Sequence, residues 1–482
     1  MMLADDVQAK TLGMVINGAD RFADDAIRVI NPATRTEIGR VPRGTLADLD
    51  EAVTAARKAF PAWRALPIAE RQRMIAEIGA VMLANVEELA GMLTAEQGKP
   101  LSDAREEIGG TGLLFQAIST LSLPFTVIED TAERRVEERH VPLGVVGAIA
   151  PWNFPIVLGM WKVAPALLAG NTVVLKPSPF TPMTTLRIAQ LIRDVLPHGV
   201  LNTVTGDDEF GPWMTAHPGI DKISFTGSSA TGRKVMQSAA ATLKRVTLEL
   251  GGNDAAIVLR DVDLDEVVPK IFWAAFRNSG QICIAVKRVY VDDEIYDAFR
   301  DRLVEYARSI KVGDGRLPDS QLGPIQNAQQ YDRVLSIIED CRQMGLAFAT
   351  GHAPVDTDTG GYFVPVTIID NPPEDSRIVQ EEPFGPVLPL LRFKSIDDAI
   401  TRANASCYGL GGSVWTRDEQ QALSIAAQLE CGTAWINEAQ YLSPFQPFGG
   451  HKQSGIGVEN GIAGLLEYTN IQVIVYKRPS SI

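Results

Sequence analysis

The stretch Val141-Pro-Leu-Gly-Val-Val-Gly-Ala-Ile-Ala-Pro-Trp-Asn153-Phe-Pro-Ile-Val-Leu-Gly-Met-Trp-Lys162-Val-Ala-Pro-Ala-Leu-Leu-Ala-Gly-Asn-Thr-Val-Val-Leu175 carries a single charge, Lys162. By hydropathy alone it is long enough to cross a membrane. Pro142, Pro151, Pro155, Pro165 and Asn153 cut it into short pieces, so it reads as a buried strand, a loop, a helix and a second strand. Strand and helix patterns keep alternating outward from it: a strand at 143–149, a helix at 157–169, a strand at 172–175 and a helix at 182–195. Short strands at 200–204, 222–225 and 245–250 follow, with helices at 209–217 and 230–241 between them. Such alternation predicts a parallel sheet covered on both faces. A second α/β pattern runs from about 253 to 435, with strands at 254–258, 287–291, 387–393 and 412–415.

Toward the N-terminus, residues 14–42 read as small strands. Thr45 reads as an N-cap with Asp48 in the first turn, and Leu49, Val53, Ala56 and Phe60 follow at helical spacing, ended by Pro61. Further amphipathic helices fit 67–84, 86–96 and 101–122, interrupted at Glu96-Gln-Gly-Lys-Pro100. Residues 125–145 alternate and are charge-rich, as a projecting strand pair would be. Ile471–Lys477 alternates too, and pairing of these two stretches across a subunit contact is expected.

The chain has 482 residues, 45% hydrophobic and 22% charged, with a net charge of -14. That length calls for more than one core. The acidic balance argues against a nucleic-acid surface, which needs clustered Lys and Arg. The four cysteines (283, 341, 407, 431) form no CxxC pair, and the five histidines (140, 198, 217, 352, 451) no metal-binding spacing. The opening residues have neither a basic start nor an apolar run, so no signal peptide is expected and a cytoplasmic location is.

Several stretches carry candidate chemistry. Cys283, in Asn278-Ser-Gly-Gln-Ile-Cys283, follows a Gly-Gln turn and precedes two cations, Lys287 and Arg288; a thiolate there is a candidate nucleophile. Asn153 lies between two prolines and two aromatics, which can aim its amide at a developing oxyanion. Glu249 ends an apolar strand before Gly251 and Gly252, where burial can raise its pKa toward that of a general base. Gly227 and Ser228 lie in a strand-to-helix turn suited to a pyrophosphate, without the Lys of a Walker loop. Lys176 closes a parallel strand and points toward the crevice where ligands bind.

These motifs, in this order, resemble the aldehyde dehydrogenase superfamily over roughly residues 14–477: PWNFP at 151–155, LKPSP at 175–179, FTGS at 225–228, LELGG at 248–252, GQIC at 280–283, EEPFGPV at 381–387 and PFGGHKQSG at 447–455. The resemblance implies an α/β fold with a Rossmann-type cofactor domain (1–123 and 143–251), an α/β catalytic domain (252–451) and a small β oligomerisation flap (124–142 and 466–482). It implies NAD(P)-dependent oxidation of an aldehyde to the acid by a homodimer or homotetramer. Cys283 would be the nucleophile, Glu249 the base that hydrolyses the thioester, and Asn153 with the Cys283 N–H the oxyanion hole. Lys176, with Ser178 and Pro179, would hold the adenosine ribose, Gly227 and Ser228 the pyrophosphate, and Glu382 the nicotinamide ribose. Lys162 and Phe384 would line the nicotinamide end and Trp152 the cofactor groove.

Two departures stand out. Pro179 replaces a glutamate that many NAD-preferring members place against the ribose, which admits NADP beside NAD. Val458 replaces an arginine. The resemblance also places Leu158, Trp161, Ile282, Ile284 and Phe445 along a substrate tunnel whose apolar lining favours aliphatic or aromatic aldehydes. The alternatives are a coenzyme A-acylating semialdehyde dehydrogenase, whose members generally lack the glutamate at 249, a catalytically silent binding protein on the same fold, and a redox-sensing thiol protein.

Overall fold

A computed structural model describes residues 10–351 and 360–479 of the chain. His352 and the outermost residues of the 1–123 and 466–482 segments lie outside the described residues.

Three sheets, of eight, seven and three strands, organise the molecule. In the first, the order is Gly455–Ile456, Arg245–Glu249, Lys222–Thr226, Val145–Ile149, Thr172–Lys176, Leu201–Thr203, Met14–Ile16 and Ala19–Arg21. The five strands from Arg245–Glu249 to Leu201–Thr203 are mutually parallel, and the outer strands join antiparallel. Chain order reverses between Val145–Ile149 and Lys222–Thr226, so the loops leaving their carboxyl ends splay apart and open a crevice. Those loops carry Trp152-Asn153 and Gly227-Ser228.

The second sheet runs Ala347–Thr350, Thr367–Asp370, Val387–Phe393, Val286–Asp292, Asp254–Val258, Gly411–Trp415 and Thr433–Ile436, parallel except at Ala347–Thr350. Its central strands are buried on both faces, which is why they read as β-branched runs rather than alternating ones. The third sheet is antiparallel: Thr469–Lys477, Arg134–Pro142 and Phe125–Asp130.

The opening stretch resolves into the expected strand, loop, helix and strand, except that Pro165 lies inside the helix rather than cutting it. Strand Val145–Ile149, helix Pro155–Ala169 and strand Thr172–Lys176 are buried almost throughout, and the helix lies inside the first core. Among the described residues no single helix is long and apolar enough to cross a membrane; one bent pair, Ile68–Ala84 with Val86–Gln97, passes by length and composition.

Two expectations need correction. Pro61 does not end its helix, which runs Leu46–Ala65. Pro61 faces solvent, and the turn beyond it is anchored by buried Trp63, whose indole donates to the Leu167 carbonyl at 3.2 Å. That tertiary contact offsets the lost backbone bond. Ile471–Lys477 also does not need another subunit as its pairing partner. Thr469–Lys477 pairs within the chain along Arg134–Pro142, from Thr469 opposite Pro142 to Lys477 opposite Arg134.

Candidate active site

Cys283 sits in the loop that feeds strand Val286–Asp292, half-buried against the first apolar core. Its loop begins with three consecutive left-handed residues: Asn278 (φ 51°), Ser279 (φ 55°) and Gly280 (φ 72°). Two of these are not glycine, a conformation that persists only when the surroundings over-determine it. They do. Ser279 Oγ donates to the Gly323 carbonyl at 2.7 Å, and Gln281 Nε2 donates to the Asn278 and Pro324 carbonyls. A Cβ on Gly280 would meet the Gly385 carbonyl oxygen at 2.3 Å, so this position requires glycine for space as well as for φ.

The loop is tied to Asn153. Asn153 Nδ2 donates to the Gln281 carbonyl at 2.9 Å, two residues before Cys283, and Asn278 Nδ2 donates back to the Asn153 carbonyl at 3.2 Å. Among the described residues no second acceptor meets Nδ2, which carries a further hydrogen. Asn153 is also held from below. The buried Lys99 ammonium donates to the Asn153 carbonyl at 3.0 Å and to Glu107 Oε2 at 2.5 Å, and lies 3.6 Å from the centre of the Phe154 ring. Glu107 Oε1 in turn accepts from Ile156 and Val157 N–H at the start of helix Pro155–Ala169, where a carboxylate suits the helix dipole. Removing one partner of such a buried pair strands the other. Lys99→Met should therefore lower unfolding free energy by about 3–5 kcal/mol, read from the denaturant midpoint; an unchanged midpoint would show that the pair carries no net stability.

Glu249 ends strand Arg245–Glu249, 3% exposed, and neither carboxylate oxygen has a hydrogen-bond partner. Burial lifts its pKa well above the usual carboxylate range; the Glu459 carboxylate adds to this and Lys162 opposes it. A buried carboxyl with no partner is held for a ligand or a proton rather than for stability. Burial likewise pushes the Cys283 thiol up to about 12; Lys287 pulls it down, while Glu249, Glu382 and Asp254 push it further up.

Lys162, expected at the nicotinamide end, is paired. Its ammonium bonds Glu459 Oε1 at 2.8 Å with both side chains buried, and Ser224 and Tyr468 hydroxyls donate to the same carboxylate. Sequence reasoning missed Glu459. Its one signal was an acid in the apolar, glycine-rich run that closes the chain.

The crevice residues have the character of a dinucleotide site. Ser228 Oγ caps helix Ser229–Ala240 by accepting from Thr231 N–H; other amides of a helix's first turn have no intrahelical acceptor. A Cβ on Gly227 would lie 2.5 Å from the Phe225 ring. Lys176 is 5% exposed, and its closest recorded acceptor is the Pro177 carbonyl at 3.5 Å; burial lowers its pKa to about 8. Such an ammonium has donors to spare. Ser178 is buried beside it, Oγ accepting from Phe180 N–H, and Pro179 follows half-buried. Glu382 Oε1 accepts from Gly252 N–H at 3.1 Å. Trp152 and Phe384 meet edge to face with centroids 5.4 Å apart. Among the described residues no three His, Cys, Asp or Glu side chains are grouped to hold a metal ion.

Of the tunnel residues, Leu158, Trp161, Ile282 and Ile284 belong to the apolar cluster against which Cys283 packs. Phe445 lies outside that cluster and is 55% exposed.

A parallel sheet with a reversal crevice, a glycine turn at a helix start and a buried unpaired carboxyl near a constrained cysteine make up the candidate site. The comparisons name the class. The sequence pattern of the aldehyde dehydrogenase family matches residues 20–474. A probable aldehyde dehydrogenase of a Pseudomonas species is 42% identical over 468 residues, covering 96% of this chain and 94% of that protein. An NAD+ complex of an aldehyde dehydrogenase from Bacillus cereus superposes with a TM-score of 0.94 at 36% identity, covering 97% of each chain. An E. coli NADP-dependent enzyme gives 0.94 at 35% identity, covering 97% of this chain and 98% of that one. The chain belongs to the aldehyde dehydrogenase family.

Proposed function

We propose that the protein oxidises an apolar aliphatic or aromatic aldehyde to its carboxylic acid through a thioester on Cys283, using NAD, and hydrolyses that thioester with Glu249. The observation that carries the reading is the buried Glu249 carboxyl, unpartnered and electrostatically coupled to Cys283.

Cys283 thiolate adds to the aldehyde carbon, and the carbonyl electron pair moves onto oxygen. The oxyanion is met by the free Asn153 N–H and the Cys283 backbone N–H. Collapse expels hydride and leaves the thioester. NAD, when bound, supplies the acceptor for that hydride. Glu249 then takes a proton from water as its oxygen adds to the thioester carbon, and the second collapse releases the acid and the thiolate. The raised pKa makes the Glu249 carboxylate a stronger base than a surface carboxylate. Because both the thiol and the carboxyl must lose a proton, and both pKa values are raised, the rate should climb with pH through the neutral range.

Lys176 and Ser178 would hold the adenosine ribose, with Pro179 alongside; Gly227 and Ser228 the pyrophosphate; and Glu382 the nicotinamide ribose between Trp152 and Phe384. The absence of a carboxylate at Pro179 leaves room for a 2′-phosphate, and the likeness to an NADP-dependent enzyme agrees with that. Lys162, held by Glu459, would line the nicotinamide end and opposes the rise in the Glu249 pKa. Leu158, Trp161, Ile282 and Ile284 form an uncharged approach to Cys283, with Phe445 at its outer end.

The first sheet with its helices would serve the cofactor (1–123 and 143–251) and the second would carry catalysis (252–451). The third (124–142 and 466–482) would carry assembly into a dimer or tetramer in the cytoplasm. Thr469–Lys477 is an edge strand exposing Ile471, Val473, Val475 and Tyr476, a surface that invites a second copy.

Asn153→Ala should lower kcat by about 10²–10³-fold, the usual loss of one oxyanion donor, with little change in cofactor affinity; a change confined to KM would remove Asn153 from that role. The reading as a whole is tested by an aldehyde panel with NAD and NADP, with products identified. Free acid without coenzyme A supports it, whereas acyl-coenzyme A would establish the acylating alternative.

A further inference from the structure

The two cations after Cys283 part company, because neighbouring residues on a strand point to opposite faces. Arg288 turns away, donating to the Asn253, Arg402 and Ala403 carbonyls. Lys287 turns back under the nucleophile loop. Its ammonium, 3% exposed, donates to the Cys283 carbonyl at 2.6 Å, to Ile282 at 2.9 Å and to Ala285 at 3.4 Å. The two shorter bonds take two of its hydrogens, and the third reaches Ala285 only at the longer distance. Yet Glu382 Oε1 also stands 3.4 Å away, so the ammonium is shared between the loop and that carboxylate. Gly251 and Gly252 make the approach feasible: a Cβ on Gly251 would lie 2.5 Å from Glu382 Oε2, and one on Gly252 2.6 Å from the Cys283 carbonyl oxygen.

We propose that Lys287 is a positioning residue that couples Glu382 to Cys283: ribose hydroxyls engaging the Glu382 carboxylate free the ammonium to act wholly on the nucleophile loop and ready the thiol. The coupling rests on the reading of Glu382 as the nicotinamide ribose contact. The charged groups around the thiol are Glu249 from the first sheet, Asp254 from the neighbouring strand, Glu382 and Lys287. Arg333 reaches the Glu382 backbone carbonyl from its own helix. Three carboxyls thus oppose the thiolate, and Lys287 favours it. Weakening its link to one of those carboxyls changes the balance on both sides at once.

The test is the pH profile of iodoacetamide alkylation at Cys283, followed by peptide mass, with and without NAD and no aldehyde. In the wild type NAD should move the midpoint down by about one pH unit, a tenfold rate gain below it. Lys287→Gln should start from a higher midpoint and gain less than about twofold from NAD, while Lys287→Arg restores the response. Glu382→Gln offers a second arm should Lys287→Gln not fold: its midpoint should sit low with or without NAD. A wild-type profile in Lys287→Gln, a high midpoint in Glu382→Gln, or no response to NAD in the wild type would overturn the coupling. Cofactor affinity, read from tryptophan fluorescence, separates the two claims. Unchanged NAD binding in Glu382→Gln removes the ribose contact, whereas the raised midpoint of Lys287→Gln without NAD tests the hold on the thiol independently.

Discussion

Cys283→Ser keeps its fold and loses more than about 10⁴-fold of its aldehyde-oxidising rate, the scale on which removal of a covalent nucleophile acts. The reason is chemical rather than structural. Sulfur and oxygen fit the same half-buried position, but serine's hydroxyl holds its proton far more tightly than a thiol does, and an ester is far slower to hydrolyse than a thioester. The site already makes deprotonation difficult, with burial pushing the thiol up to about 12; a hydroxyl there would stay neutral. Steady-state NADH formation checks this, and a rate within tenfold of wild type would mean that the reaction does not pass through residue 283.

Glu249→Gln separates the two halves of the reaction. The amide is nearly the same shape, sits in the same buried pocket and can no longer take a proton from water. Hydrolysis should slow by about 10²–10⁴-fold, the range for a lost general base, while the first turnover is spared. Mixed rapidly with aldehyde and NAD, the variant should give a burst of NADH close to one per active site and then a slow steady rate. A fall in burst rate equal to the fall in steady rate would assign Glu249 to the steps before the thioester instead. The pH response should change with it: the part of the rise carried by the Glu249 carboxyl disappears, leaving that of the thiol.

Much of the molecule was legible because local chemistry repeats in the fold. Pro151 and Pro155 turned an apparent membrane span into strand, loop and buried helix, whereas Pro165 lies inside that helix without breaking it. The strand ends at Lys176, Thr226 and Glu249 placed three candidate groups at the carboxyl edge of one sheet. Gly280-Gln281 read as a turn before Cys283, and the chain does turn there, with Gln281 N–H donating to the Asn278 carbonyl at 3.1 Å. What pattern could not reach were pairings over long sequence separation. Lys162 and Glu459 are 297 residues apart and Lys99 reaches Asn153 across 54, and neither spacing carries a periodic signal. Pro61 misled for the opposite reason: a local breaker was overruled by Trp63, whose partner lies in another helix. Lys287 was visible as a charge, but which way it turned depended on the face its strand presents.

The central claim is that one sulfur carries the substrate while one buried carboxylate releases it. Acid-quenched Glu249→Gln, incubated with aldehyde and NAD, tests it most directly by peptide mass. The account predicts one acyl group of the aldehyde's own mass, less hydrogen, on the peptide containing Cys283, absent when NAD is withheld. An unmodified Cys283 peptide after a measured NADH burst, or the acyl group on Cys407 or Cys431 instead, would contradict it.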